Sequence, residues 1–391
     1  MSELTAQKGH PKGLWVLFGT EMWERFNYYG MRAVLVLFMT KALLFDKVFA
    51  SNLYGSYTSL VYLTPLIGGY IADRYWGNQR SIIAGGIVMA LGEFLLFFCG
   101  STYQSSPELS SLLFFSGLGL MIAGNGFFKP NISSLVGQLY PKNDRRIDPA
   151  YTIFYMGINV GGALGPFICG LVGDTGDPAD FKWAFLAGGI GMLISVAVQL
   201  TFHKNYVLGP DNQVLGLTPK GTPGIWIKPI AIILGLAAFS ALAIGMLYID
   251  AKVVSYLTYL LGGAAVFIFL MVMADKTLNK FEKNRVIVLF TVVFFVIFFW
   301  SAFEQAGASL TFFAEEQTQR DLGFFTVPAS WFQSLNSIFV VTFAPVFAWL
   351  WLKLGKKDPS APTKMAIGLL LLAIGYLWIA FGVKNVGTGV K

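Results

Sequence analysis

The chain has 391 residues, of which 55% are hydrophobic, 16% aromatic and only 13% charged, and its net charge is +7. Soluble domains carry roughly 25% charged residues, so this composition excludes a water-soluble globular protein. The two cysteines lie in apolar runs, and the two histidines, His10 and His203, lie near predicted helix ends. These residues are too few for a disulfide framework, a zinc site or an intramembrane histidine centre.

Long apolar runs follow one another along the chain, separated by clusters of Gly, Pro, Asp and Lys. A bilayer core requires about 20 predominantly apolar residues per helix, and the runs are long and continuous enough to favour helices over barrel strands. The sequence therefore predicts an all-α polytopic membrane protein. The predicted spans are 13–42, 50–73, 79–100, 110–139, 149–173, 182–203, 225–249, 253–274, 285–313, 328–353 and 363–383.

Basic residues indicate how these spans are oriented. Most of the 28 Lys and Arg residues fall in alternate loops, and cytoplasmic loops carry the excess of positive charge. This places the N-terminus in the cytoplasm, and the polar start of the chain lacks the pattern of a cleaved signal peptide. The positive net charge follows from this topology, so we expect no nucleic-acid partner.

Charged residues within the first span are the main functional signal. Each costs at least about 2.5–3.5 kcal/mol to insert, and such residues usually face the interior of a helix bundle. Together with two tyrosines, the charged residues are spaced at i, i+3, i+4, i+7, i+8 and i+11, which confines all six side chains to one helix face. This face is either a structural ion-pair cluster or a surface for the carboxylate and amide groups of a peptide. Its residues are Glu21, Glu24, Arg25, Tyr28, Tyr29 and Arg32.

Three further charged residues lie inside predicted spans. Lys129, in a Gly- and Pro-containing stretch, requires a carboxylate from the protein or from a substrate. Glu304 lies in an aromatic run, and its nearest economical partner is Arg32 or Arg25. Such a bridge is either a breakable gate between two half-bundles or a permanent structural contact. Glu93 is interpreted as a neutral acid that is hydrogen-bonded between helices.

The absence of an ATP-binding motif bears on the energy source of any transport. No G-x-x-x-x-G-K-[ST] stretch for ATP is present, so we expect an ion gradient to drive any transport. Carboxylates are the intramembrane groups that could carry protons near neutral pH. The candidates are Glu21, Glu24 and Glu304. We expect neither a cofactor nor an enzymatic activity, because no catalytic serine–histidine, metalloprotease or paired-aspartate arrangement lies in the spans.

Several motifs resemble those of one family. Residues 21–30 read E-M-W-E-R-F-N-Y-Y-G, which resembles the first-helix signature of the proton-dependent oligopeptide transporters of the major facilitator superfamily. Residues 69–80 resemble the loop between helices two and three of that superfamily. Residues 154–161 and 330–336 resemble the fifth- and eighth-helix motifs of the family. The likeness covers essentially the whole chain and implies two pseudo-symmetric helix bundles.

The resemblance also implies roles for individual residues. It implies proton coupling by Glu21, Glu24, Arg25 and Glu304, and an outer gate between Arg32 and Glu304. The implied peptide-binding residues are Arg25, Tyr28, Tyr29, Arg32, Tyr62, Lys129, Asn159 and Asn336. The implied conformational loop contains Gly69, Asp73, Arg74, Gly77 and Arg80.

The resemblance divides the chain into three parts. Residues 1–205 would form a six-helix bundle, residues 206–278 a linker with two additional helices, and residues 279–391 the first three helices of a second bundle. The family has three further helices, so we expect the sequence to cover part of a longer protein. A bacterial inner membrane is the expected location, and a monomer in the lipid bilayer the expected state.

The implied function is proton-coupled import of di- and tripeptides by alternating access. One alternative is a related transporter of another solute, such as nitrate, an amino-acid conjugate or a peptide-like drug. Another is a membrane receptor that binds peptides without transporting them.

Overall fold

The computed structural model describes residues 9–224, 228–248 and 252–385, and a long helix occupies each predicted span there. The predicted tail at residues 1–8, and residues 225–227 and 249 of the seventh span, lie outside the described residues. The all-α class is confirmed. The helices are α1 (Lys12–Lys41), α2 (Lys47–Ile71), α3 (Asn78–Thr102), α4 (Pro107–Gln138), α5 (Ile147–Gly173), α6 (Phe181–Tyr206), α7 (Pro229–Tyr248), α8 (Lys252–Ala274), α9 (Lys280–Phe303), α10 (Ser309–Glu316), α11 (Phe332–Leu354) and α12 (Ala361–Asn385).

Within the described residues, eight helices are long and apolar enough to cross a membrane: α3 to α7, α9, α11 and α12. α8 contributes a shorter apolar stretch, Thr258–Ala274. α1 and α2 have sufficient length, 30 and 25 residues. α1 differs from the eight in carrying four charged residues within three turns.

The chain forms two compact units. The first comprises Met1–Ala251 with Val327–Val341, and the second comprises Lys252–Thr326 with Thr342–Lys391. These units group α7 with the first six helices and α8 with the later ones. The predicted division at residues 205 and 278, into a six-helix bundle, a linker with two helices and the start of a second bundle, stays a prediction.

The core of the first unit is built around α1, which packs against α5 and α6, while α3 packs against α4 and α6 and α2 against α4. The C-terminal half of α1 is buried, and the ring of Phe38 lies 5.0 Å from that of Phe185. Glycines permit close helix crossings, for example around residues 124–126. A Cβ on Gly126 would lie 2.8 Å from Thr64 Cβ, closer than side chains normally approach.

The second unit exposes most of its apolar side chains. Trp378 on α12 is 80% exposed, and the Tyr376 hydroxyl donates to the Ala302 carbonyl at 2.8 Å. α9 begins with a capping box in which Asn279 and Glu282 satisfy each other's backbone N–H groups. Such an apolar surface suits contact with lipid or with further helices.

The prediction of one continuous helix over 285–313 was wrong. α9 ends at Phe303, a 3-10 turn spans Glu304–Gly307, and α10 follows after Ala308, whose φ and ψ of −132° and −95° are not helical. Hydropathy did not reveal the break because apolar residues continue on both sides of it. Glu304 therefore lies at a helix end rather than inside a helix.

Candidate functional site

The charged face predicted for α1 is buried inside the first unit. Glu21, Glu24 and Arg25 are each at most 2% exposed. Arg25 Nη2 donates to Glu24 Oε1 at 2.8 Å, and Arg25 Nε lies 3.1 Å from Glu21 Oε1 and also contacts Glu24 Oε2. These two carboxylates and the guanidinium form a cluster that we call the α1 triad. Fully ionised, the triad carries a net charge of −1.

An amide on α4 forms a hydrogen bond with the α1 triad. Asn125 is 1% exposed, and its Nδ2 donates to Glu24 Oε1 at 3.2 Å. Charge-assisted hydrogen bonds of this kind stabilise a buried carboxylate. Glu21 has no such donor at its second oxygen, since Oε2 lacks a hydrogen-bond partner. The two carboxylates therefore differ, and Glu21 is the one better placed to accept a proton.

Two tyrosines lie beside the cations of α1. The Arg25 guanidinium carbon lies 5.2 Å from the ring centre of Tyr28 and 5.9 Å from that of Tyr29. Arg32, which is 2% exposed, lies 5.7 Å from the Tyr29 ring and 5.9 Å from the Tyr54 ring. Aromatic faces attract guanidinium groups electrostatically. The stripe predicted from periodicity is thus a continuous surface of cations and phenols.

Lys129 and Tyr62 bring α4 and α2 into the same region. The Lys129 ammonium lies 4.8 Å from the Tyr62 ring centre, and Lys129 interacts electrostatically with Glu21. Tyr62 is 43% exposed. The structure therefore groups Lys129 with the α1 triad, although the two are more than 100 positions apart in the sequence.

α5 and the start of α11 supply two more predicted binding residues. Asn159 is 5% exposed, and its Nδ2 donates to the Tyr155 carbonyl at 2.9 Å. The start of α11 is held to α5 by Ser334, whose hydroxyl donates to the Ala163 carbonyl at 2.9 Å. Asn336, two residues further on, is exposed.

The predicted conformational loop, residues 69–80, contains the end of α2, a π-helical turn over Ala72–Trp76 that stops at Gly77, and the start of α3. Asp73, Arg74 and Arg80 are exposed. Gly77 has φ of +79°, and a Cβ there would lie 2.6 Å from the Gly216 carbonyl oxygen, so the position requires glycine. Gly69 lies beside Pro130, to which a Cβ would come within 3.5 Å.

The predicted gate joins residues of the two different units. Arg32 lies in the first unit and Glu304, half-buried, in the second. The gate between them therefore stays a prediction.

Glu93 is fully buried and accepts a hydrogen bond from Asn27 Nδ2 at 2.8 Å, which confirms the expected bond between helices.

The sequence interpretation missed three buried polar residues of this region: Asn27, Tyr57 and Asn125, all at most 1% exposed. Their signal was present, because each is a polar side chain inside a predicted span. Neutral groups cost less than charges in a membrane, so this signal is weaker. In the described part of the chain, no three His, Cys, Asp or Glu residues come together as a metal site.

Buried ionic side chains inside an all-helical membrane bundle define a class of protein, the polytopic membrane proteins that handle ions or polar solutes. The profile of the POT family matches residues 79–389. The chain belongs to this family of multi-pass membrane transporters.

Three comparisons describe its relatives. The uncharacterized transporter YclF of Bacillus subtilis (strain 168) is 40% identical over 381 residues, which cover 95% of this chain and 74% of YclF. A di-/tripeptide transporter of Lactococcus lactis subsp. cremoris is 33% identical over 387 residues, covering 94% and 75% of the two chains. A crystal structure of a POT family transporter in complex with a thioalcohol-conjugated peptide has a TM-score of 0.80 at 32% identity, covering 97% and 78%.

Proposed function

We propose that this protein imports di- and tripeptides together with protons by alternating access. The observation that carries the proposal is the buried α1 triad with an aromatic and cationic surface beside it. The family and its di-/tripeptide-transporting and peptide-bound relatives support the choice of substrate. The triad, together with Lys129, supplies a reason for the coupling between proton and peptide.

The coupling follows from charge balance. With Glu21 and Glu24 ionised, the charges of these two residues, Arg25 and Lys129 cancel. A proton on Glu21, whose Oε2 has no hydrogen-bond partner, leaves this group with a net charge of +1. That charge attracts the carboxylate of a peptide, because Coulomb forces are weakly screened in a buried site. Proton uptake and peptide binding therefore favour each other.

Further features complete the proposal. Tyr28, Tyr29 and Tyr62 would contact varied side chains, and Asn159 and Asn336 would offer amides to the peptide. Arg32 and Glu304 would form the gate that protonation of Glu304 opens. We place the N-terminus in the cytoplasm of a bacterium and the protein in its inner membrane as a monomer without a cofactor. No chemical conversion of the peptide takes place.

The test uses purified protein in proteoliposomes. Glu21→Gln should abolish uptake of dialanine driven by a pH gradient but retain exchange of labelled for unlabelled dialanine, because exchange requires no net proton movement. A proton moving down 100 mV supplies enough energy for about 50-fold accumulation, so the loss is easily measured. Glu108→Gln, an exposed carboxylate on α4, is the matched control.

Three outcomes contradict the proposal. Equal loss of uptake and exchange would indicate a folding role for Glu21. If nitrate, an amino-acid conjugate or a peptide-like drug binds in competition assays and dialanine does not, the transported substrate is another solute. Saturable dialanine binding without any gradient-dependent uptake would indicate a receptor.

A further inference from the structure

A second buried acid lies behind the α1 triad. Glu93 on α3 is 0% exposed and accepts a hydrogen bond from Asn27 on α1 at 2.8 Å. Gly188 on α6 closes the other side, where a Cβ would lie 3.1 Å from Glu93 Oε1 and 3.4 Å from Asn27 Nδ2. Three helices thus meet at one carboxyl–amide contact, one helical turn from Glu24.

The surroundings of Glu93 offer little to balance a negative charge. The phenol of Tyr57 on α2 and the thiol of Cys169 on α5 lie near it, and both are fully buried and neutral in their protonated forms. Within the described part of the chain, the Asn27 amide is the one group that donates a hydrogen bond to Glu93. A single neutral donor does not offset the several kcal/mol that an isolated buried charge costs.

Hydrogen-bond accounting identifies where a proton would reside. Glu93 Oε2 and Asn27 Oδ1 are both buried and both lack a partner. If Glu93 were ionised, these atoms would be two unsatisfied acceptors. A proton on Oε2 converts it into a donor, and Asn27 Oδ1 is the acceptor on the same amide that already donates to Oε1. One proton on Oε2 would therefore supply the donor that Asn27 Oδ1 lacks.

We propose that Glu93 holds a permanent proton and forms a cyclic acid–amide pair with Asn27, which positions α1 against α3 and α6. Glu93 is then a positioning residue for the α1 triad and does not exchange protons during transport. The inference rests on the proposed function only in what the triad does. The state of Glu93 itself is independent of it.

The direct test is infrared difference spectroscopy of the purified protein in lipid. The spectrum of the wild type minus that of Glu93→Gln should show the carbonyl band of a protonated carboxylic acid, unchanged in height between pH 5 and pH 9. In the control, the spectrum of the wild type minus that of Glu108→Gln should lack such a pH-independent band, because Glu93 is present in both proteins. A Glu93 band that disappears as the pH rises through this interval would overturn the proposal, whether or not the protein transports peptides.

A mutant cycle tests the pairing. Glu93→Gln keeps one donor and one acceptor, so it should retain wild-type stability and an unchanged pH profile of dialanine uptake. Glu93→Leu leaves both polar ends of Asn27 unsatisfied and should shift the unfolding equilibrium in mixed micelles by about 5- to 150-fold.

The double variant Asn27→Leu with Glu93→Leu removes both partners and should recover most of that loss. Additive losses, or a pH profile that shifts in Glu93→Gln, would contradict the pairing. Absent dialanine transport in the wild type would instead contradict the proposed function, while the infrared and unfolding results would still decide the state of Glu93.

Discussion

A methyl group at Gly161 should push α5 away from α1, the helix that carries the α1 triad. Gly161 lies on α5, where α5 crosses α1. A Cβ at this position would overlap the Met22 carbonyl oxygen and lie 2.8 Å from Arg25 Cβ and 2.9 Å from Phe26 N. Most of these atoms are backbone, so rotating a side chain cannot relieve the contact.

The required movement sets the magnitude. Ordinary contact begins near 3.4 Å, and the overlap with the Met22 carbonyl oxygen is the tightest contact, so α5 must move away from α1 by roughly one ångström in Gly161→Ala. Overpacking of this kind typically costs about 1–3 kcal/mol. The movement also pulls on the backbone that carries Arg25, so the proton-driven uptake of dialanine should fall along with stability.

The assay compares Gly161→Ala with Gly55→Ala. Gly55 lies on an exposed face of α2, and a Cβ added there would have no atom within 4 Å, so the same substitution should leave stability and uptake near wild type. Unfolding is measured in mixed micelles and uptake in proteoliposomes. A Gly161→Ala protein with the unfolding free energy and uptake of the wild type would refute the argument from close packing.

Three other predictions concern the ends of helices and a loop in the first unit. His203 is fully buried and bonds the Leu215 carbonyl at 2.9 Å, so His203→Phe should lower the free energy of unfolding by about 1–3 kcal/mol in mixed micelles. Gly77→Ala should lower thermal stability, because φ of +79° strains a residue with a Cβ. The side-chain hydrogen bond from Arg146 lowers the pKa of Asp144, so the order it gives the loop is present above pH 4 and is lost as the pH falls through the native pKa. Hydrogen exchange of this loop should show that loss on acidification, and Asp144→Asn should show it already at pH 7.

The parts of the site that were predictable from the sequence are those marked by charge and period. Formal charges in an apolar run are costly, so the positions of Glu21, Arg25 and Arg32 identified the buried face of α1 directly. The resemblance to a family extended this face to Lys129, which spacing alone could not connect to α1. The structure groups these residues, while their roles in transport stay predictions.

Other features depend on contacts between distant segments. The pairing of Asn27 with Glu93 requires knowing that α1 crosses α3 at that level, and a neutral amide gives only a weak signal in an apolar run. The end of α9 at Phe303 is not visible in the sequence, because hydropathy reports composition and not backbone angles. The contact between Gly77 and Gly216 joins segments that no local pattern connects.

Glu21 and Glu93 are both buried carboxyls, but their neighbours suit them to different roles. Glu21 has a guanidinium 3.1 Å away, which makes its ionised form accessible, and a free oxygen that can take a proton. Glu93 faces an amide instead of a cation, so losing its proton would leave an uncompensated charge. A buried carboxyl can exchange protons during transport only if both of its states are within reach, and a neighbouring cation provides this. The group that faces a buried carboxyl therefore decides whether the residue couples to the proton gradient or holds two helices together.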